Sequence, residues 1–269
     1  MLSRLILVLA LGSDLFFRSD SLDRKKRSDP GQLPAPAPIT VSAAVSLTDA
    51  LTAAANEYAN GGRGAIRFNF AASNVLARQI VSGAPVDLFI SADEAQMDVV
   101  AQAGLIKDGS RIDLLSNQLA VVVPSDRPRM FSSIKDLAAP GFRRIAIGDP
   151  AAVPAGVYAK QYLEKEGLWA EIAPRIVPTG SVRAALAAVE SGAADAGIVY
   201  RTDARVALKA TVAWVVAADR GPRIVYPAAI VRTSTHQAEA ARFLDFLRGA
   251  SGARAFERAG FTVIPSAPR

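Results

Sequence analysis

From Ile39 onward, short apolar runs alternate with amphipathic stretches that close on glycine. No other feature of the chain restricts its fold as much. ITVSAAV (39–45) reads as a strand and residues 47–59 as a helix ending at Gly61-Gly62. AIRFNFA (65–71) is strand-like, and SNVLARQIVSG (73–83) is helical with Gly83 at its C-cap. VDLFIS (86–91) is a short, nearly continuous apolar strand, followed by a helix that opens at Ala92-Asp93 and closes at Gly104. The second half repeats the pattern. Strands are predicted at 117–124, 143–149, 195–200 and 211–217, with helices at about 155–166 and at 182–192, where Gly192 is the stop. RIVYPAAIV (223–231) is strand-like, but Pro227 interrupts it, which suits an edge or a crossing segment better than a sheet centre. Two helices close the chain, at about 235–248 and 250–259. Short apolar strands alternating with helices predict an α/β fold of doubly wound, mostly parallel sheets. Extended segments near 118–124 and 223–231 suggest two lobes with the chain crossing between them and a ligand cleft in between. Such sheets bind ligands at the carboxyl ends of their strands.

Composition removes several kinds of chemistry. The 269 residues include no Cys and one His, His236, so disulfides, thiolate metal sites, Cys nucleophiles and multi-His metal sites are excluded. The formal charge of +6 raises the question of nucleic acid, yet the visible cluster is one run, Arg24-Lys25-Lys26-Arg27. Elsewhere Arg and Lys alternate with Asp and Glu and lack interleaved aromatics, so the excess is read as solvated surface, with no nucleic-acid partner. At the N-terminus, Arg4 and the apolar LILVLALG resemble the start of an export signal, too short to span a bilayer as a helix. The charged stretch after it lacks a clean A-x-A cleavage site, and PAPAP precedes Ile39. Residues 1–37 are therefore assigned as an atypical export signal with a Pro-rich lead-in, and the folded part is expected from residue 38.

Five junctions between strand and helix share one chemistry. AAVSLTDAL (43–51) places Ser46 where a strand ends and a helix begins, and FAASNVLARQI places Ser73 likewise. GDPAAVPAGVYAK sets Ala155 in a first helical turn just after Pro154, and PTGSVRAALAAVE sets Val182 there after a candidate N-cap, Ser181. GIVYRTDA ends an apolar strand on Tyr200. Each has a plain structural explanation: Ser46, Ser73 and Ser181 as helix caps, Ala155 as a small residue, Tyr200 as a core aromatic. The functional alternative is that first-turn N–H groups, with the positive end of the helix dipole, hold an anion. Thr48 and Asp49 are read as ordinary first-turn residues.

In order and spacing, these motifs resemble the periplasmic molybdate-binding proteins that serve ABC importers. The resemblance covers almost all of the chain from Ile39. It runs through AAVSLTDA, FAASNVLARQI with GAPVDLFISAD, GDPAAVPAGVYAK, SVRAALAAVESGAADAGIVY and the closing FERAGFTVI. It implies a two-lobed periplasmic-binding-protein fold, with residues 38–120 plus 228–269 as one lobe and 121–227 as the other. It also implies an oxyanion site made of the Ser46, Ser73 and Tyr200 hydroxyls and the Ala155 and Val182 amides. The implied ligand is molybdate or tungstate, with molybdenum held only as the oxyanion, no free metal cation and no cofactor. The implied setting is the periplasm, as a monomer delivering to an inner-membrane permease. Val45, Ala72 and Asn74 depart from the family's usual Ala and Ser at positions that are not ligands. An enzyme is disfavoured because no G-x-S-x-G elbow is present and the lone His236 starts a surface helix. A ligand-sensing domain of a regulator is disfavoured because no helix-turn-helix segment precedes the fold. The remaining alternative is a binding protein for another tetrahedral oxyanion such as sulfate.

Overall fold

The computed structural model describes residues 37–265. The export-type leader and the basic run at 24–27 lie outside the described residues. The elements in chain order are β1 (Ile39–Ala44), α1 (Thr48–Asn60), β2 (Ile66–Ala71), α2 (Ser73–Val81), β3 (Leu88–Ile90), α3 (Glu94–Gln102), β4 (Ile112–Ser116), β5 (Leu119–Pro124), β6 (Ile145–Gly148) and α4 (Pro154–Lys165). They continue with α5 (Trp169–Ile172), β7 (Ile176–Thr179), α6 (Val182–Glu190), β8 (Ala196–Tyr200), α7 (Arg201–Arg205), β9 (Ala210–Val215), β10 (Val225–Ile230), α8 (Gln237–Arg248), α9 (Ala250–Ala259) and β11 (Thr262–Val263).

The strands form two mixed sheets built on one plan. The first has the order β11-β4-β10-β3-β1-β2 and the second β7-β6-β8-β5-β9. In the first, β1 is parallel to β2 and β3, whereas β10 is antiparallel to β3 and β4. In the second, β6 is parallel to β7 and β8, and β5 is antiparallel to β8 and β9. Each sheet thus holds a parallel trio wound by helices, with a returning strand beside it. The central strands β3, β5, β8 and β10 are buried along their whole length, which accounts for their unbroken apolar sequence. The edge strand β2 is only partly buried and leaves Arg67 exposed, which blunts an open edge.

Two expectations change. The run 112–124 holds two strands in different sheets, with the chain crossing at Asn117-Gln118; the predicted strand 117–124 starts only at Leu119. Pro227 lies in β10, which is interior and not an edge or a crossing segment. It is tolerated because the β10–β4 register shifts between Tyr226 and Pro227, so the missing N–H falls at a bulge. The Pro227 carbonyl still accepts from the Ser91 N–H at 3.0 Å.

The core continues between the sheets through aromatic contacts. Tyr226 packs on Tyr200 at 5.8 Å and edge-on to Phe261 at 5.5 Å, so the C-terminal Phe of the AGF segment supports the centre of the molecule. Tyr58 of α1 meets Phe243 and Phe246 of α8 at 5.0 and 5.1 Å, which fastens the C-terminal helices to the first sheet. Among the described residues no helix is long and apolar enough to cross a membrane.

Candidate oxyanion site

The parallel trios of the two sheets aim their carboxyl ends at one cavity. β1 leads to Ser46, β2 to Ser73 and β3 to Ala92; β6 leads to Ala155, β7 to Val182, and β8 ends on Tyr200. All five residues singled out from the sequence line this cavity, together with Ala44, Val45, Ala72, Ala92, Val153 and Pro154. The atom-free space there, counted out to its open mouth, is ≈ 210 Å³. No charged side chain is among the lining residues.

Three hydroxyls reach this cavity. Ser73 opens α2, and its Oγ accepts from the Ala92 N–H at 2.9 Å, which leaves its own proton free for the cavity. Ser46 lies in a tight turn ahead of α1, and its Oγ is 3.1 Å from the Tyr226 hydroxyl. That hydroxyl also accepts from Asn117 Nδ2 at 3.3 Å, so Ser46 Oγ is held in place by a buried pair of side chains from outside its own turn. Neither serine caps its helix by side chain, contrary to the simplest explanation of both, whereas Ser181 does, accepting from the Ala184 N–H at 3.1 Å. Tyr200 is the third hydroxyl. It is 1 % exposed, and its OH has no hydrogen-bond partner among the described residues. Burial raises its pKa well above the ordinary phenol value, so it remains a protonated donor.

Two backbone amides complete the set. Ala155 is the second residue of α4 and Val182 the first of α6, so their N–H groups belong to the first turn and lack an intrahelical acceptor. Pro154 presets the first turn of α4. Gly156 lets that turn press on the end of β6: a Cβ there would stand 1.9 Å from the Gly148 carbonyl oxygen. The apolar side chains of Ala155 and Val182 are buried, so what they offer a ligand is backbone.

Several participants escape a linear reading. Tyr226 and Asn117 back Ser46 from sequence positions 180 and 71 residues away, and no local signal marks them. Asp49, read as an ordinary first-turn residue, is also bonded to Arg183 of α6. Among the described residues no group of His, Cys, Asp and Glu is placed to hold a cation.

The profile of the bacterial extracellular solute-binding proteins matches residues 39–262. The chain is 39% identical over 234 residues to the molybdate-binding protein ModA of Escherichia coli, covering 84% of this chain and 89% of that one. It is 34% identical over 240 residues to ModA of Haemophilus influenzae, covering 85% and 91%. Among solved structures, the Azotobacter vinelandii periplasmic molybdate-binding protein superposes with a TM-score of 0.76 at 28% identity, covering 86% of this chain and all of that one.

Proposed function

The chain belongs to the bacterial extracellular solute-binding proteins, and from that premise we propose that it captures molybdate outside the cytoplasm and delivers it to an ABC importer. Tungstate is a second ligand in this reading. The role is binding for transport, with no catalytic step, no cofactor and no nucleic acid. The protein acts as an exported monomer that docks on a membrane permease. In this reading one lobe is built on the first sheet and the other on the second, so the lobes divide at Asn117-Gln118 and between β9 and β10, a few residues before the bounds of 120 and 228 expected from the sequence. The ligands are Ser46, Ser73, Ala155, Val182 and Tyr200.

What carries the reading is the buried Tyr200 hydroxyl, left without a partner in a cavity that offers donors and no charged side chain. Molybdate at neutral pH is a deprotonated dianion whose oxygens only accept. Hydrogen bonds to a charged acceptor contribute about 1.5–3 kcal/mol each, and the N-termini of α4 and α6 add favourable dipoles. Several such bonds offset the desolvation of the dianion without a buried Arg or Lys. Protonated phosphate must donate and finds no acceptor, which leaves a buried polar group unmet. Sulfate has the right charge but is smaller, so a cage sized for molybdate holds it loosely.

Titration calorimetry of the mature protein with molybdate, tungstate, sulfate and phosphate tests this. Tight binding of the first two and weak binding of the others is expected. Sulfate or phosphate binding as tight as molybdate would refute the selectivity argument.

A further inference from the structure

Beside the cavity, the same helix starts that supply its donors carry a chain of charged groups linking the two sheets. Arg183 is the second residue of α6, directly after Val182. Its Nε donates to Asp203 Oδ1 at 2.5 Å, and one terminal nitrogen donates to Asp49 Oδ2 at 2.6 Å. Asp203 lies in α7, three residues after Tyr200, on the same side of the molecule as α6. Asp49 lies in the first turn of α1, three residues after Ser46, on the side of the first sheet. Each of the three groups is therefore within three positions of a proposed ligand residue, on the same stretch of backbone.

The two bonds differ in character. Asp203 is wholly buried, and its Oδ2 has no hydrogen-bond partner among the described residues. Separating it from Arg183 would strand a charge in the interior, which is strongly unfavourable. The Asp49 side chain is 54% exposed and recovers water readily when its partner leaves. Parting the sheets would thus leave Arg183 on Asp203 and break only its bond to Asp49. Arg183 would stay preorganised, with its planar fork aimed across the cleft.

We propose that Arg183 is a latch: anchored on Asp203, it bonds Asp49 across the cleft in the closed form and slows ligand release without touching the ligand. This rests on the reading that the cavity holds an oxyanion. Because the Asp49 bond exists only when the lobes are together, it stabilises the closed form and not the open one. Its effect therefore falls on the dissociation rate. Arg183 is a positioning residue, acting through the Val182 amide and the turn that holds Ser46.

The test is stopped-flow kinetics of sodium molybdate on the wild type, Asp49→Asn and the conservative Asp49→Glu, with small-angle scattering of each protein without ligand. Asp49 is at the surface, so neither variant endangers folding. Asp49→Asn is expected to release molybdate about 1.5- to fivefold faster with little change in association rate, the scale of a partly exposed ion pair. Asp49→Glu should recover most of the loss. If the wild type binds molybdate and Asp49→Asn releases it at the wild-type rate, the latch is refuted while the proposed function stands. If the wild type does not bind molybdate, the proposed function fails. The latch is then decided by scattering: a larger radius for Asp49→Asn than for the wild type supports it, and equal radii refute it.

Discussion

Replacing Tyr200 with Phe removes one oxygen from the cavity wall and little else. The ring keeps its packing on Tyr226 at 5.8 Å, and no protein hydrogen bond is lost, because among the described residues the hydroxyl makes none. In the proposed complex, that hydroxyl donates to a dianion in a buried site, a bond of about 1.5–3 kcal/mol. Tyr200→Phe should therefore raise the molybdate Kd by about 10- to 150-fold. Without ligand the effect has the opposite sign or vanishes. A buried hydroxyl lacking a partner costs stability unless water reaches it, and Phe has no such group. The ligand-free melting temperature should hold or rise, by about 2–4 °C for each kcal/mol relieved in a chain of this size. Titration calorimetry gives the Kd, and scanning calorimetry with and without molybdate gives both melting shifts. A variant that binds as tightly as the wild type would remove Tyr200 from the site. A ligand-free variant that melts lower would show that the hydroxyl has a structural partner after all.

Two further substitutions probe the frame around the donors. Gly156→Ala places a methyl 1.9 Å from the Gly148 carbonyl oxygen, a backbone atom that cannot turn aside. The start of α4 must shift with the Ala155 amide, so a loss of about 1–3 kcal/mol in stability and at least a tenfold weaker molybdate Kd are expected. Gly180→Ala, where the methyl meets nothing within 4 Å, is the control, and equal effects of the two in calorimetry would refute the close-approach argument. Asp203 supplies a pH test. Burial, opposed by Arg183, raises its pKa from 3.8 to about 6. The native state then holds the proton more tightly than the unfolded chain, so this contribution is full below pH 3.8 and is lost as pH rises through 6. Its size is about 3 kcal/mol. Urea unfolding from pH 4 to 8 should show Asp203→Asn gaining on the wild type across pH 4–6 and staying level above 7. Parallel curves would refute the burial of a charged Asp203.

What could be read along the chain and what could not divide by the distance between interacting residues. The element pattern and the start of each cavity helix depend on neighbours a few positions apart: a strand of apolar residues, a hydroxyl or Pro, then an amphipathic run. The motifs AAVSLTDA, FAASNVL, PAGVY, SVRAAL and GIVY keep such units intact, and all five positions drawn from them reach the cavity wall. Lateral order has no such local record. The strand predicted at 117–124 begins at Leu119, and β4 just before it is not among the predicted strands, because which sheet a short strand joins, and that Asn117 and Gln118 pass the chain between sheets, depends on distant partners. Pro227 looked unfit for a sheet interior because the bulge that excuses it belongs to the pairing with β4, more than a hundred residues earlier. The same holds at the site. Ser46 Oγ is bonded to Tyr226, which Asn117 holds in turn, and Asp49 is bonded to Arg183, 134 residues away. Sequence motifs thus mark the groups that face the cavity, because each sits at a helix start with its own local grammar. The groups that hold them in place, and those that tie the two sheets together around them, are chosen by the fold and become visible only when the strands are in register.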